Sequence, residues 1–486
     1  MYVTTLYEQI LGRGCPSFRE TPAPKMECLT ERHLQAIWME QRYFRDLKTH
    51  DGLPIQVVSP GIWNAEAGPD FLKAHLRIGD EDVFGDVEIH LSDCNWHQHR
   101  HDQDPRYDRV ALHVSFWEPA NETVIFTNSG KAIPRTYLEP KLTISLKRIL
   151  QLVDLDLYPY RKFVGSGRCA VSLFRHSNEI KTRKILSSAA MWRLERKRQF
   201  LYSDLHDDAD ALLCGMAMAL GYRANADVFK QLYLWLRQQP SKDFDTLLAL
   251  AMGVTGFFKE PFVTRWQESV EYRRILKIWE GQEKVITTSF TLVVGQTRPL
   301  NHPVRRLVAL CKMVLDPGLP GLYDRCLSLW NARWSECRKA KDLTRLRSDL
   351  LELMPSYEDR YWSNQYLFES KVAKEPISLI GEDLQKLFLV NSFLPLLNGY
   401  ILINYGTGDQ ADVFEDFYGA FSSSASGKRE YLVHRFFGEM TNGNLLRKSI
   451  YEQGAFQIHN DFCVHYESSC EGCPFVDRVR DACDPV

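Results

Sequence analysis

Four short apolar runs near the start of the chain limit its fold more than any other feature. They span residues 53–58, 71–78, 83–91 and 110–116, and Gly, Asp and Pro residues separate them. Short apolar runs bounded by turn residues are typical of β-strands. Residues 31–45 instead carry apolar side chains near helical spacing, with Thr30 as the N-cap. The sequence therefore predicts a mixed α/β domain over residues 1–140.

The pattern changes beyond that domain. Residues 141–198 contain 14 Lys or Arg against four Asp or Glu, and we interpret residues 141–200 as a basic connecting segment. Apolar spacing from about residue 180 to 460 is mainly helical, which predicts a helical domain over residues 201–455. A small segment with four cysteines, residues 456–486, completes the predicted organisation.

An uncharged stretch at residues 387–408 is long enough to suggest a membrane-spanning helix. Asn391, Pro395 and Asn398 interrupt it and make insertion less favourable, so we expect buried helices broken near Asn398 and Gly399. The first residues have neither the basic region nor the apolar run of a signal peptide. These features predict a cytoplasmic protein without membrane contact.

Candidate catalytic and metal-binding side chains are most concentrated between Gly68 and Val114. Five of the 14 histidines fall within 24 residues there, namely His90, His97, His99, His101 and His113. Glu88 and His90 occupy positions i and i+2 of a predicted strand and share one face. If the neighbouring strands form a hairpin, Asp70 approaches that face. Two carboxylates with a third polar group suit Mg²⁺ or Mn²⁺.

This arrangement resembles the PD-(D/E)XK nuclease superfamily. Pro69-Asp70 matches the first part of its motif, and Glu88-Ile89-His90 matches the second with His in place of Lys. The resemblance implies a restriction-endonuclease-like mixed sheet, catalysis by Asp70, Glu88 and His90, and Glu40 as an extra acidic ligand. The lysine of the superfamily helps position and activate water, so His90 either takes that role or marks a loss of activity.

Two further resemblances concern the histidine-rich segment. Trp96-His97-Gln98-His99 is similar to the Trp-His-x-His segment of very-short-patch repair endonucleases. The whole chain resembles a family of uncharacterised bacterial proteins that share the patterns GPDF, GDVEIH and WHxHxH. We predict His97 and His99 as further metal ligands, while a structural zinc site that includes His101 and a solvated loop stay open as alternatives.

Four of the 12 cysteines lie close together at the end of the chain: Cys463, Cys470, Cys473 and Cys483. Thiolates at such spacing favour a soft or borderline metal in a reducing compartment. The spacing resembles the [4Fe-4S] loop of endonuclease III-type DNA glycosylases, with a longer last gap. A zinc site stays open as the alternative. The other eight cysteines, Cys169 among them, are scattered and are predicted to be mostly buried thiols.

The net charge of −2 excludes general coating of nucleic acid but not a local basic groove. Candidate phosphate-binding residues are Arg161, Lys162, Arg193, Arg196 and Lys197, although a solvated helix face is the ordinary explanation of such a run. The sequence thus predicts a metal-dependent DNA nuclease in which the cysteine site is a structural clasp. A non-catalytic nucleic-acid-binding protein with a degenerate nuclease fold and a zinc-dependent small-molecule hydrolase are the alternatives.

Overall fold

The chain forms two compact units in the computed structural model, one made of residues 1–190 and 423–486 and the other of residues 191–422. The structure describes residues 5–12, 29–64, 68–119, 124–153, 155, 167–202, 207–240, 243–282, 286–294, 299–422, 427–438, 441–463, 470 and 473–483. The mixed sheet and the terminal cysteines belong to the first unit. A helical body makes up the second.

The first unit contains six strands, which are β1 (Ile55–Ser59), β2 (Ile62–Trp63), β3 (Phe71–Ile78), β4 (Glu81–His90), β5 (Val110–Ser115) and β6 (Arg135–Tyr137). Its early helices are α1 (Leu6–Ile10), α2 (Glu31–Glu40), α3 (Cys94–Gln98), α4 (Leu146–Leu152) and α5 (Glu179–Leu201), which continues into the second unit. Its late helices are α16 (Gly427–Phe437), α17 (Ser449–Asp461) and α18 (Phe475–Cys483). Each predicted apolar run corresponds to one strand, so the predicted N-terminal mixed sheet is confirmed.

The strand order β1-β3-β4-β5-β6 determines which residues meet. β3 is antiparallel to both of its neighbours, β1 and β4, whereas β4, β5 and β6 run parallel to one another. The carboxyl ends of β4 and β5 therefore lie side by side, with His90 opposite Ser115. The start of the antiparallel strand β3 reaches the same region, since Phe71 pairs with Val87.

Helix α2 packs on this sheet and anchors the core. Its buried residues Leu34, Ile37 and Trp38 join Phe71 and Ile89 in one apolar cluster. Thr30 caps the helix as predicted, with its hydroxyl accepting the N–H group of His33. The helix ends earlier than the predicted residue 45, because Gln41 adopts a left-handed conformation with φ of 54°.

The second unit is helical, as the apolar spacing predicts. Beyond the end of α5 its helices are α6 (Asp208–Arg237), α7 (Phe244–Val254), α8 (Phe262–Trp266), α9 (Val270–Glu280), α10 (Pro303–Leu315), α11 (Leu322–Arg333), α12 (Ala340–Glu352), α13 (Glu382–Phe388), α14 (Leu394–Asn404) and α15 (Asp409–Gly419). The expected break near Asn398 and Gly399 is wrong, because α14 runs through both residues. Gly399 instead leaves room for Arg198, whose Cδ atom would lie 2.3 Å from a Cβ there.

The stretch Glu382–Asn404 is long and apolar enough to cross a membrane by composition alone. Its regular α-helical parts, α13 and α14, are joined by a π-helical turn at Leu389–Phe393. In its most apolar window 61% of the residues are buried inside the protein, and a buried core helix passes the same test of length and composition.

Candidate metal centre

Asp70 and Glu88 lie next to each other at the junction of β3 and β4. The Asp70 N–H group donates a 2.9 Å hydrogen bond to Glu88 Oε2. The Asp70 carboxylate accepts the N–H group of Ile89 at 3.1 Å and the side-chain amide of Gln35 at 2.7 Å. Asp70 is 2% exposed and Glu88 4%. Asp70 thus connects α2 to β4 and fixes the position of the Glu88 carboxylate.

Three histidines converge beside that carboxylate. The ligand atoms of His90, His99 and His101 all lie within 4.8 Å of one another. Their rings pack closely, with centroid distances of 5.0 Å for His90–His99 and 5.2 Å for His90–His101. His90 and His101 are buried and His99 is half-buried. This group, His90, His99, His101 and Glu88, is the histidine–carboxylate cluster.

The distances within the histidine–carboxylate cluster fit a single ion. Glu88 Oε1 lies 3.4 Å from His90 Nε2 and 3.3 Å from His101 Nε2. A tetrahedral ion with bonds of about 2.1 Å holds its ligands about 3.4 Å apart. Neutral imidazole nitrogens and a carboxylate oxygen are all electron-pair donors, so their convergence is favourable when a cation lies between them. The donor set therefore suits a divalent metal.

The segment after β4 determines which histidines join. α3 is short, and Arg100 then takes a left-handed conformation with φ of 58°, which turns the chain back toward the sheet. His101 stacks on Tyr107 at 3.9 Å and contacts Trp96 at 5.3 Å between ring centroids. Trp96 and Tyr107 belong to a small apolar core with Val110, Ile125 and Ile133. That core packs against His101 and fixes the position of its ring.

A second row of buried polar residues orients His90. His90 Nδ1 lies 2.9 Å from His113 Nε2, and His113 Nδ1 lies 3.4 Å from Asp93 Oδ1. Asp93 also accepts hydrogen bonds from Arg135 and Tyr137, each at 3.0 Å. His113 is fully buried and Asp93 is 3% exposed. The row joins β4, β5 and β6 next to the histidine–carboxylate cluster.

The charges of this row follow from its contacts. Burial acts to raise the pKa of Asp93, but hydrogen bonds from His113, Ser115 and Tyr137 outweigh it and hold the pKa well below its ordinary value. Burial lowers the pKa of His113, against the attraction of Asp93. His113 is therefore neutral, and the ionised Asp93 beside its Nδ1 atom favours the proton on that nitrogen, so that Nε2 accepts the His90 Nδ1 proton. This leaves the electron pair of His90 Nε2 directed at the centre.

Two predicted ligands lie apart from this cluster. The His97 side chain is 46% exposed and its Nδ1 atom lies 3.2 Å from Asp102. Glu40 forms an ion pair with Arg42 at the end of α2. It is five residues beyond Gln35, the α2 residue that contacts Asp70, and so about 140° away around the helix. The regular His-x-His-x-His spacing gave no sign that His101 joins the cluster in place of His97.

The basic segment is only partly described. Arg161 and Lys162 lie outside the described residues. In the second unit, Lys197 donates to the Asn391 side chain at 2.7 Å, and Arg198 pairs with Glu195 at 2.8 Å. Arg193 and Arg196 are half-buried on the same helix. Phosphate binding by these residues stays a prediction.

The first unit thus combines a mixed sheet with a buried cluster of metal-ligand side chains. The model of a family described as "Protein of unknown function (DUF2851)" matches residues 31–417, and the chain belongs to that family. The match covers both the sheet and most of the helical body. No curated protein and no solved structure is detectably similar to the chain.

Proposed function

We propose that the chain is a metal-dependent phosphodiesterase of the nuclease type, whose ion is held by the histidine–carboxylate cluster. The observation that carries the proposal is the convergence of His90, His99 and His101, two of which, His90 and His101, also lie beside Glu88 Oε1. Asp70 then acts as a positioning residue, because its N–H group donates to Glu88 Oε2. It couples the Glu88 carboxylate to α2 through Gln35.

The donor set narrows the choice of metal. Imidazole nitrogens suit Zn²⁺ and other transition metals, whereas Mg²⁺ prefers oxygen ligands in an octahedral arrangement. Among the ions expected from the sequence, Mn²⁺ and Zn²⁺ therefore fit the histidine–carboxylate cluster better than Mg²⁺. When bound, such an ion would lower the pKa of a water molecule and neutralise charge on a phosphodiester.

The order of the motif residues supports a phosphodiester substrate. Asp70 directly before β3, followed by Glu88 and His90 on the antiparallel neighbour β4, is the order of residues on which the nuclease resemblance rests. In this proposal His90 is a metal ligand instead of the residue that activates water. The proton that His90 holds on Nδ1 is fixed by His113, so His90 Nε2 stays available to the ion.

A matched set of variants tests the proposal. We expect His99→Ala and His101→Ala to lower Mn²⁺ or Zn²⁺ affinity by at least about 10-fold and to abolish cleavage of single-stranded and duplex DNA. His97→Ala is the control, because it removes the same side chain from the same segment outside the cluster. Metal content by mass spectrometry and cleavage with each ion give the two measurements. Equal affinity and cleavage in all three variants would disprove the proposal.

The histidine-rich donor set also favours one other function, a zinc-dependent hydrolase of small molecules. His90, His99 and His101 resemble in type the three-histidine sites of zinc hydrolases. Zinc in the first unit, hydrolysis of small phosphate or carboxylate esters and no affinity for DNA at low salt would identify it. A protein that binds DNA and does not cleave it with any ion would instead be the non-catalytic alternative.

We further propose that the terminal cysteines hold a metal or a [4Fe-4S] cluster as a structural clasp. Cys463, Cys470 and Cys473 are at most 7% exposed, although the segment that carries them is short. Buried thiols grouped in this way are well suited to bind iron or zinc as thiolates. This site shares no residue with the histidine–carboxylate cluster.

A further inference from the structure

We propose that Cys169 supplies the fourth thiolate of the cysteine clasp, and that Cys483 lies outside it. The predicted centre is therefore Cys169, Cys463, Cys470 and Cys473. Cys169 is separated from the other three by most of the sequence, but all four belong to the first unit. This inference deepens the proposed clasp and does not depend on the phosphodiesterase.

The C-terminal cysteines are brought together by local packing. The tilted rings of Phe462 and Phe475 pack with a centroid distance of 5.0 Å, which brings the adjoining Cys463 close to the start of α18. The Cys473 N–H group donates to the Cys470 carbonyl at 3.3 Å. Cys470 has a φ of 59°, a conformation that costs a non-glycine residue free energy and is found where the surroundings impose it. Cys470 and Cys473 therefore lie together just before the start of α18.

The segment that carries Cys169 lies against the same end of α18. Arg168 donates to the Cys473 carbonyl at 2.7 Å and to the Asp477 carboxylate at 2.9 Å, across 305 residues of sequence in the first case. The Gly167 N–H group donates to the Arg435 carbonyl at 3.1 Å. Arg435 in turn donates from its guanidinium group to Cys470 Sγ at 3.0 Å. Cys169 therefore directly follows two residues that are linked to the C-terminal cysteines, Arg168 to Cys473 and Gly167 to Cys470 through Arg435.

The environment of the Cys169 thiol agrees with this placement. Cys169 is 6% exposed. Burial raises the pKa of Cys169 well above its ordinary value, and the nearby thiols of Cys463, Cys470 and Cys473 raise it further. A buried thiol is costly to ionise alone. A bound cation removes that cost, since metal binding deprotonates its thiol ligands.

Cys483 occupies the opposite end of α18. The helix runs from Phe475 to Cys483, so about 12 Å along its axis separates these two residues. Arg480 near that end donates to the Ser172 carbonyl at 2.9 Å, which shows that residues 168–172 run along α18 from its first turn. Cys169 is thus beside the first turn, whereas Cys483 is at the last residue. Thiolates on one zinc ion lie only about 4 Å apart.

Two arginines provide positive charge at the proposed centre. Arg435 is 1% exposed, and a guanidinium group stays protonated at any ordinary pH. Four thiolates around a zinc ion or an oxidised [4Fe-4S] cluster leave a net charge of about −2. The hydrogen bond from Arg435 to Cys470 Sγ and the charge of Arg168 offset it. A buried cation needs such an anionic partner.

Metal analysis of the full chain, purified without oxygen, tests the assignment. We expect either about four iron and four sulfide with a brown colour, or about one zinc without colour. Cys169→Ser and Cys463→Ser should each lose at least about 90% of that content, a 10-fold loss typical of a missing ligand. Cys483→Ser should retain it. Full content in Cys169→Ser, or its loss in Cys483→Ser, would overturn the assignment.

A control separates metal loss from misfolding. Cys311→Ser removes another fully buried thiol, and its metal content should equal that of the unchanged protein. Alkylation followed by peptide mass spectrometry needs no variant. Removing the metal should raise the labelling of Cys169, Cys463, Cys470 and Cys473 and leave that of Cys483 unchanged. Increased labelling of Cys483 with no change at Cys169 would contradict the proposal. A protein without iron or zinc at the cysteines would overturn the clasp itself but not the phosphodiesterase.

Discussion

His90 Nδ1 and His113 Nε2 lie 2.9 Å apart in the interior of the first unit, on adjacent parallel strands. Through this contact the ionised Asp93 determines where two imidazole rings carry their protons. Asp93, His113 and His90 form a row, and His90 is the member of that row that belongs to the histidine–carboxylate cluster. Asp70 positions Glu88 from the other side, through its backbone N–H group. Residues that touch no ion therefore control the geometry of those that would.

The first prediction concerns His113. His113→Ala removes the group that orients His90, and we expect metal affinity at the histidine–carboxylate cluster to fall about 10- to 100-fold. Competition with a chromophoric chelator measures the change. His75→Ala is the control, because His75 is on β3 and pairs with the exposed Asp82. Unchanged affinity in His113→Ala, with a native circular dichroism spectrum, would show that His90 needs no such support.

The second prediction concerns Asp70. Asp70→Asn keeps the shape of the side chain but replaces one carboxylate oxygen with an NH₂ group. Gln35 and Ile89 each donate to one Asp70 oxygen, so one of these donors would then face another donor. Since the site is buried, we expect the free energy of unfolding to fall by about 1–3 kcal/mol. Urea unfolding measures it. Asp82→Asn should have a much smaller effect, because the Asp82 ion pairs are exposed. Equal effects would contradict the role of Asp70.

The third prediction is a pH dependence of the second unit. Burial, with a contribution from Arg265, lowers the pKa of His302 from 6.5 to about 4. The unfolded chain therefore binds the proton first, and stability decreases as pH falls from about 6.5 to about 4, by up to about 3 kcal/mol. His302 Nδ1 also accepts the Val304 N–H group at the start of α10. His302→Asn keeps that cap without titrating.

The variant should consequently lose less stability than the unchanged protein between pH 7 and pH 4.5. Urea unfolding at both pH values measures the difference. The same acid sensitivity in both proteins would mean that other groups cause it.

The fourth prediction concerns Gly454 in α17, the helix that leads to Cys463. A Cβ atom at Gly454 would lie 1.9 Å from the Leu186 carbonyl oxygen, so the two helices approach too closely for alanine. We expect Gly454→Ala to lower the free energy of unfolding by about 1–3 kcal/mol despite the better helix propensity of alanine. Gly281→Ala is the control, since its nearest neighbouring atom lies at 3.5 Å. A neutral Gly454→Ala variant in thermal unfolding would contradict this packing.

Local patterns identified much of the first unit. The apolar runs located the strands because side chains alternate along a strand and turn residues bound it. Glu88 and His90 were expected on one face for the same reason, and their 3.4 Å contact confirms it. The expected hairpin with β3 is also present. The end of α2 was not predictable, because it depends on the single left-handed residue Gln41.

The sequence by itself determined the elements and the residue types, that is, a mixed sheet rich in histidine and carboxylate and a thiol-rich end. Only the tertiary structure decided which of those residues meet. The left-handed Arg100 brings His101 to Glu88 while His97 pairs with Asp102, and parallel pairing of β4 with β5 places His113 behind His90. Cys169 approaches Cys473 through its neighbour Arg168, whose contact spans about three hundred residues. Such long-range contacts depend on packing and chain reversal, which leave no periodic signal in the sequence.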